Sequence, residues 1–347
     1  MSNSEAGPTM GALRPAAQAE GRGFGGSTEM QGLELSRRLF EEHGRALLER
    51  LDLTDVCSVG CVGGTSQNAG IDDQVSRDHF WGPYLTFILP AQTWRVHGRR
   101  LKEELKDLPD RVEGISWRGY GGPGPRKTDV VEMAGFLSEL TGYRKPPTGL
   151  VDWLPHLTRQ GFLGRRWTER LYDAGQGAVF HDPHNQFTRL WRHYVRYPPP
   201  EIQKGLLARG LFRTWNAGPE YNLARTLQRG DGLAFSQCRS LFVNEVIELA
   251  FCWNNSFVPA FKWRIAHFRR LPDCPVAVRE GIAELASMQP NERALTAATE
   301  VVQAVKHVIN GRFQISTTPS EPLSTYAREV HSQIANRTIR EAASLDW

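Results

Sequence analysis

The chain has 347 residues, of which 40% are hydrophobic, and its formal net charge is +4, from 42 basic and 38 acidic residues. This length is too great for one small core and fits two globular domains of ordinary size. The small net charge is not that of a protein that coats nucleic acid, so a nucleotide-sized or small-molecule partner is favoured.

The five cysteines predict neither a disulfide framework nor a zinc site. Their number is odd, and no two of them form a Cys-x-x-Cys pair. No stretch approaches the roughly 20 uninterrupted apolar residues of a membrane helix. We therefore expect buried free thiols in a cytoplasmic protein with no membrane partner.

The first half of the chain alternates between helical and strand patterns. Residues 1–30 hold almost no large aliphatic side chains and predict a disordered leader. Leucines then recur at helical spacing from Leu33 to Leu51. Apolar runs predict strands at residues 56–62, 84–89, 112–117 and 128–133. This alternation is typical of an α/β domain.

The second half of the chain has a helical pattern almost throughout, beginning after Pro146 and Pro147. We therefore predict three parts: the disordered leader at residues 1–30, an α/β domain at 31–148 and an all-helical domain at 149–347.

The segment from Gly63 to Asp78 has the residue types that bind phosphate and magnesium. It follows the first predicted strand and begins Gly63-Gly64-Thr65-Ser66. Glycine lets backbone N–H groups approach phosphate oxygens, and a hydroxyl adds a donor. Carboxylates follow within about a dozen residues, and such oxygen ligands hold Mg²⁺ together with substrate phosphates. Two ions of this kind help a hydroxyl or amine attack the α-phosphorus of a nucleoside triphosphate.

The string GGTSQNAGIDDQVSRDHFWGP at residues 63–83 is distinctive, and LVDWL at 150–154, VFHD at 179–182 and AFKW at 260–263 accompany it. Together these segments resemble an uncharacterised bacterial branch of the nucleotidyltransferase superfamily, a domain of unknown function with a helical C-terminal domain. The resemblance covers about residues 32–275. It implies an α/β nucleotidyltransferase-like domain, with a mixed sheet and flanking helices, followed by an all-helical domain.

The resemblance also implies roles for individual residues. Ser66 would lie in the phosphate loop and take part in catalysis, and Asp78 would be the first metal-binding aspartate. The superfamily places a second aspartate two residues later, where this chain has Phe80, a side chain that cannot ligate a metal. Asp129 is the candidate for the third carboxylate, with Glu132 as the second choice.

Other polar residues of the motif have two interpretations each. Asp72, Asp73 or His79 could replace the carboxylate missing at Phe80, and Asp73 is our third metal candidate. The two aspartates equally suit turns, and a histidine is more often a hydrogen-bonding residue than a catalyst. Ser66 could bond only to the loop backbone.

Two basic residues, Arg77 and Lys262, are candidates for neutralising phosphate charge. Arg77 could instead pair with an acidic neighbour. Lys262 belongs to a basic and aromatic run at residues 261–270, which fits either a base-stacking surface or a helix packed on the core with its cations outside. Glu245 and Glu248 could act as a base, with a solvated helix face as the ordinary alternative.

The string His181-Asp182-Pro183-His184 is too compact to form a closed metal site by itself. We predict a structural role for it.

The leading hypothesis is a nucleotidyltransferase that uses Mg²⁺ or Mn²⁺ to move a nucleoside monophosphate from a nucleoside triphosphate to a small-molecule hydroxyl or amine. Asp78, Asp129 and Asp73 would hold the metal, and Gly63, Gly64, Thr65 and Ser66 would bind phosphate. The rival hypothesis, motivated by Phe80, is an altered nucleotidyltransferase-like protein that binds a nucleotide or metabolite. A third is modification of a partner protein. The low charge disfavours nucleic-acid polymerisation.

Overall fold

The computed structural model describes residues 31–119, 122–123, 127–158 and 167–345, so the predicted leader lies outside the described residues. The chain divides into two compact units. The first comprises Met1–Met133 and Gln176–Arg196, and the second comprises Ala134–Gly175 and Tyr197–Trp347. Each unit therefore uses two separate stretches of chain, whereas the domains predicted at residues 31–148 and 149–347 are continuous.

The secondary structure consists of short strands in the first unit and helices in both. The strands are β1 (Ser58–Val62), β2 (Thr86–Leu89), β3 (Arg111–Val112), β4 (Ile115–Ser116), β5 (Arg118–Gly119), β6 (Gly122–Pro123), β7 (Asp129–Glu132) and β8 (Gly177–His181). The helices are α1 (Gly32–Leu39), α2 (Arg45–Arg50), α3 (Ala91–Glu104), α4 (Met133–Thr141), α5 (Leu154–Thr158), α6 (Trp167–Ala174), α7 (Gln186–Tyr194), α8 (Pro200–Ala217), α9 (Asn222–Gln228), α10 (Gly232–Trp253), α11 (Phe261–Phe268), α12 (Val276–Ser287), α13 (Glu292–Phe313), α14 (Leu323–Ser332) and α15 (Arg337–Ala342).

The first unit is organised around a four-stranded sheet in the order β7-β2-β1-β8. β2 and β7 are parallel, with Thr86 opposite Asp129, while β1 is antiparallel to both β2 and β8. All residues of β1 and β2 are buried, as expected for central strands whose residues are apolar on both faces. The mixed sheet with flanking helices predicted for this part of the chain is confirmed.

The helical region at the start of the first unit covers the sheet with leucines. Its predicted helical spacing is confirmed: Leu35, Leu39, Leu47 and Leu48 are buried in one core with Phe87 of β2. This contact buries apolar side chains of the helical region and of β2. Such burial stabilises the fold by about 25 cal/mol for each Å² of apolar surface removed from water. The core therefore holds β1 in place through Val59, which belongs to it.

One predicted strand was wrong in detail, and one strand of the main sheet was missed. The predicted strand at residues 112–117 is instead a small hairpin of β3 and β4, outside the main sheet. Its turn residues Glu113 and Gly114 have φ of 50° and 73°, which suits a two-residue hairpin turn. β8 was not predicted as a strand at all, because its partner β1 lies more than a hundred residues earlier in the chain.

Glycine is required at the start of β8. Gly177 has a φ of +115°, and a Cβ atom there would lie 1.9 Å from the carbonyl oxygen of Cys61 in β1. Any side chain would force the two strands apart.

The second unit is helical in its described residues, as predicted for the C-terminal region. α8 packs against α10 and α14, and α12 packs against α13. Their core contains Leu211 of α8, Phe242 and Val246 of α10, and Val305 of α13. In the part of the chain that the structure describes, no helix has the length and apolar character needed to span a bilayer.

Candidate functional site

The loop after β1, residues 63–72 and here called the β1 loop, is held by its own backbone and side chains. Gly63 has a φ of +117°, its N–H donates to the Gln176 carbonyl at 3.1 Å, and its carbonyl accepts from Asn68 Nδ2 at 2.9 Å. Thr65 Oγ1 accepts from the Asn68 N–H at 3.2 Å. Gly63 therefore adopts a conformation that favours glycine, and hydrogen bonds to Gln176 and Asn68 hold the β1 loop in place.

The hydroxyl candidates of the β1 loop face inward. Thr65 and Ser66 are both buried, and Ser66 Oγ lies 3.5 Å from the Ser76 carbonyl. Gly64, in contrast, is exposed, and no group in the described ranges accepts from its N–H. Of the four predicted phosphate-loop residues, Gly64 is the exposed one.

Asn68 connects the β1 loop to an aromatic pair beneath a lysine. Its Nδ2 also donates to the Tyr84 hydroxyl at 2.7 Å, and the Tyr84 ring meets the Trp117 ring edge to face at 5.1 Å. Lys127 Nζ lies 4.3 Å from the centre of the Tyr84 ring and 5.4 Å from that of Trp117. We call these four residues the Lys127 cluster.

Lys127 is the site residue that the sequence interpretation missed. The residue is exposed, yet the protein around its ammonium desolvates it and lowers its pKa, while the buried Cys61 thiol acts in the opposite direction. Among the described residues, no carboxylate pairs with Lys127 and no oxygen accepts a hydrogen bond from it. An ammonium over aromatic faces keeps its three donors available for an anion.

The predicted first metal ligand, Asp78, is exposed at the surface of the first unit. Its side chain is 66% accessible, and its Oδ1 lies 2.6 Å from His79 Nδ1. Phe80 follows with a φ of +51° and is 42% exposed. His79, considered above as a replacement for the carboxylate missing at Phe80, therefore contacts the first predicted metal ligand, Asp78.

The predicted strand carboxylate, Asp129, is engaged by the protein. Its Oδ1 lies 2.7 Å from Lys102 Nζ and 2.8 Å from the Val130 N–H. The carboxylate remains about half exposed. Its charge is balanced by α3, so it does not lie at the strand edge as an unpaired anion.

The paired aspartates of the motif have separate structural roles. Asp73 Oδ1 accepts from the Ser76 N–H at 2.8 Å, and the side-chain and backbone hydrogen bonds of Ser76 lower the pKa of Asp73. Asp72 is buried and accepts from the Gly32 N–H at 2.8 Å and from Trp81 Nε1 at 2.9 Å. The turn interpretation accounts for the contact of Asp73, whereas Asp72 connects the β1 loop to the start of α1 and to the Trp81 side chain.

The predicted metal ligands Asp78, Asp129 and Asp73 do not come together as a metal centre among the described residues. Over residues 31–119, 122–123, 127–158 and 167–345, no group of three His, Cys, Asp or Glu side chains is placed to hold an ion. Asp78, Asp129 and Asp73 each bind a different protein group, as described above. The arrangement does not fit the two-ion site expected from the resemblance.

Arg77 lies against an aromatic ring of its own segment. Its guanidinium carbon is 4.7 Å from the centre of the Trp81 ring, and its carbonyl accepts from Arg118 Nη1 at 3.5 Å. A cation in this position stabilises the turn through its contact with the ring.

The candidate residues of the second unit lie in an ion network. Arg264 bridges Glu169 and Glu248, each at 3.1 Å, and Arg213 pairs with Glu245 at 2.9 Å. Glu245 and Glu248 are thus partners of arginines and not solvated bases. Lys262 lies outside this network, with Nζ 4.8 Å from the Trp263 ring.

The string from His181 to His184 is structural, as predicted. Asp182 accepts from Ser58 Oγ at 2.8 Å and from the N–H groups of Phe187 and Thr188 at the start of α7. His181 Nε2 lies 2.7 Å from the Thr54 carbonyl. These contacts fix β8 beside β1 and position α7.

Comparison with known proteins gives a family match over part of the chain. A family model described as a domain of unknown function, DUF4037, matches residues 166–264, less than a third of the chain. This match agrees with the resemblance to a domain of unknown function, but the motif at residues 63–83 lies outside the matched residues.

Solved structures give a weaker likeness. A crystal structure of a nucleotidyltransferase-like protein from Exiguobacterium sibiricum has a TM-score of 0.32 and 12% sequence identity, over 87% of this chain and 91% of that chain. No curated protein matches. A likeness at this level carries no argument about function.

Proposed function

We propose that the first unit binds the phosphate groups of a nucleotide or another phosphorylated metabolite, between the β1 loop and Lys127. The observation that carries the proposal is the position of the Lys127 ammonium, 4.3 Å from the Tyr84 ring and with no acidic partner among the described residues. Tyr84 is hydrogen-bonded to Asn68 of the β1 loop, so the cation and the loop belong to one bonded cluster.

Removing part of the water around the Lys127 ammonium costs free energy unless another group compensates its charge. Surrounding protein lowers the pKa of Lys127, and the aromatic faces replace only part of the lost hydration. A phosphate would supply charge-assisted hydrogen bonds to the ammonium. Gly64 is exposed and its N–H has no acceptor among the described residues, so it offers a second donor without a Cβ atom in the way.

Binding is favoured over metal-dependent transfer because the donor set for magnesium does not converge. Magnesium requires near-octahedral oxygen ligands and is usually held by one or two carboxylates together with phosphates. Here Asp129 is bound by Lys102, Asp73 caps a turn, and Phe80 stands where the superfamily has an aspartate. We therefore derive no metal-dependent step for this site.

The proposal is tested by calorimetric titration of the full chain with ATP and with inorganic tripolyphosphate, both in EDTA. The variants are Lys127→Met, which removes the charge, and Lys127→Arg, which keeps it. Lys106→Met is the matched control, because Lys106 is an exposed cation of the same unit whose ion-pair partner among the described residues is its neighbour Glu103. Hydrogen bonds to charged groups contribute about 1.5–3 kcal/mol, so Lys127→Met should weaken both ligands by roughly 10- to 100-fold.

Lys127→Arg should retain most of the affinity, and Lys106→Met should leave it unchanged. The proposal fails if neither ligand binds the wild-type chain, or if Lys127→Met binds both as tightly as the wild type does.

Transfer of a nucleoside monophosphate to a small-molecule hydroxyl or amine is a second candidate, favoured by the exposure of the Asp78 carboxylate. Its test is the release of pyrophosphate from a nucleoside triphosphate, with Mg²⁺ or Mn²⁺ and a panel of acceptors. Release that is lost in Asp78→Asn would support transfer over binding alone.

A further inference from the structure

Phe80 combines an unfavourable backbone conformation with an exposed ring. Its φ of +51° lies in the left-handed region, which costs a residue with a Cβ atom about 1–2 kcal/mol. A fully buried ring could offset this cost by packing, but Phe80 is 42% exposed. Strained positions of this kind concentrate at ligand sites, where the surrounding structure maintains them.

The segment that carries Phe80 is joined to the segment that carries Trp117, one residue of the Lys127 cluster. Trp81 exchanges backbone hydrogen bonds with Arg118, at 2.8 Å and 3.4 Å. A Cβ atom on Gly82 would lie 3.0 Å from the Cα atom of Trp117, so the two backbones are in close contact. Phe80 therefore precedes Trp81, which pairs with Arg118. Arg118 in turn follows Trp117, whose ring lies under Lys127.

A neighbouring ring supports Phe80. The His79 and Phe80 rings meet at an interplanar angle of 65°, with their centres 5.2 Å apart. Edge-to-face contact of this kind orients an aromatic ring. His79 is in turn held by the Asp78 carboxylate at 2.6 Å.

We infer that the phosphorylated ligand is a nucleotide and that Phe80 is the residue on which its base stacks. This inference rests on the proposed phosphate site and specifies its ligand class. Stacking on an aromatic ring tolerates any base, because every base has a π-face. The chain should therefore bind ATP and GTP with similar affinity, and both more tightly than a phosphate chain without a base.

The test compares ATP, GTP and inorganic tripolyphosphate on the full chain in EDTA, by calorimetric titration. Phe80→Ala removes the ring and Phe80→Trp keeps an aromatic surface. Val75→Ala, which shortens a highly exposed apolar side chain of the same segment, is the matched control. Phe80→Ala should weaken ATP and GTP about tenfold and leave tripolyphosphate unchanged, while Phe80→Trp and Val75→Ala retain the affinity for all three.

The outcomes separate this inference from the function on which it rests. If tripolyphosphate binds the wild type as tightly as ATP, or if Phe80→Ala leaves ATP binding unchanged, the stacking role is wrong and the phosphate site stands. Equal weakening of ATP and tripolyphosphate in Phe80→Ala also overturns it, because the ring then supports the loop and not the base. If no ligand binds the wild-type chain, both proposals fail.

Discussion

Lys102 Nζ lies 2.7 Å from Asp129 Oδ1, and the pair joins α3 to the first residue of β7. The same carboxylate oxygen lies 2.8 Å from the Val130 N–H. Asp129 therefore contributes to the connection between a helix and a strand, in the place where a metal ligand was expected. Asp129 has a cationic partner, whereas Lys127, two residues earlier, has no anionic partner among the described residues.

The first prediction concerns divalent cations. If Lys127 and the Gly64 N–H are the main partners of phosphate, magnesium should not improve binding, because it reduces the charge of ATP. We expect the dissociation constant for ATP in EDTA to be equal to or lower than that in excess Mg²⁺, as measured by titration calorimetry. Asp129→Asn should leave this ratio unchanged, and ATP binding that appears only with Mg²⁺ would favour the transferase.

The second prediction is that Gly is more stable than Ala at position 80, the reverse of the usual order, because of the backbone conformation of Phe80. With the ring removed, Ala retains the Cβ penalty at a φ of +51° and Gly does not. Phe80→Gly should therefore be more stable than Phe80→Ala by about 0.5–1 kcal/mol, after allowing for the greater entropy of unfolded glycine. Urea denaturation of the two variants measures the difference.

A matched pair of substitutions at Val75 provides the control for this order. Val75 begins a short helical turn at Val75–Arg77 and is highly exposed. There Gly should be less stable than Ala, which is the usual order in helical backbone. The same order at both positions would mean that the strain at Phe80 is absent.

The fold was predictable where the pattern is local. The buried strands β1 and β2 and the leucines of α1 and α2 follow from short apolar runs and helical spacing. β8 was missed because its residues are only partly buried and its partner is distant in sequence. The pairing of β8 with β1 joins residues that are distant in sequence, and no local pattern of residues 177–181 indicates it.

The site was predictable only in its loop. Gly63 at positive φ follows from the two glycines after a strand, and the inward-facing bonds of Thr65 follow the tendency of hydroxyls to bond locally. Lys127 could not be identified, because its environment comes from Tyr84 and Trp117, which only folding brings together. The pairing of Asp129 with Lys102 has the same origin.

The third prediction concerns acid stability in the second unit. Burial alone would raise the pKa of Glu329, but hydrogen bonds from Ser316 and Thr317 outweigh it and lower the pKa to about 2. A lowered folded-state pKa stabilises the fold above the unfolded value of about 4.3, and this contribution is lost as the pH falls towards the folded value.

Glu329→Gln should therefore reduce stability by about 1–2 kcal/mol at pH 7, after discounting for solvent screening. The difference from wild type should shrink between pH 5 and about pH 2, as measured by urea denaturation at several pH values. Glu321→Gln, which alters an exposed carboxylate nearby, is the control. A difference that stays constant with pH would mean that the charge of Glu329 is not responsible.

The last prediction concerns the arginine that lies between α6 and α10. The Arg264 side chain is only 8% accessible, and its guanidinium contacts Glu169 and Glu248 at 3.1 Å each. Removing one member of a buried ion network leaves its partners desolvated and unpaired, which costs about 3–5 kcal/mol. We expect Arg264→Met to destabilise the second unit by this amount in urea denaturation.

Arg293→Met is the matched control, because Arg293 pairs with Glu284 at the exposed surface and should contribute less than about 1 kcal/mol. Adding Glu248→Gln to Arg264→Met should restore part of the loss, since it removes one of the stranded charges. If the two arginine variants are equally stable, the network is not coupled to folding.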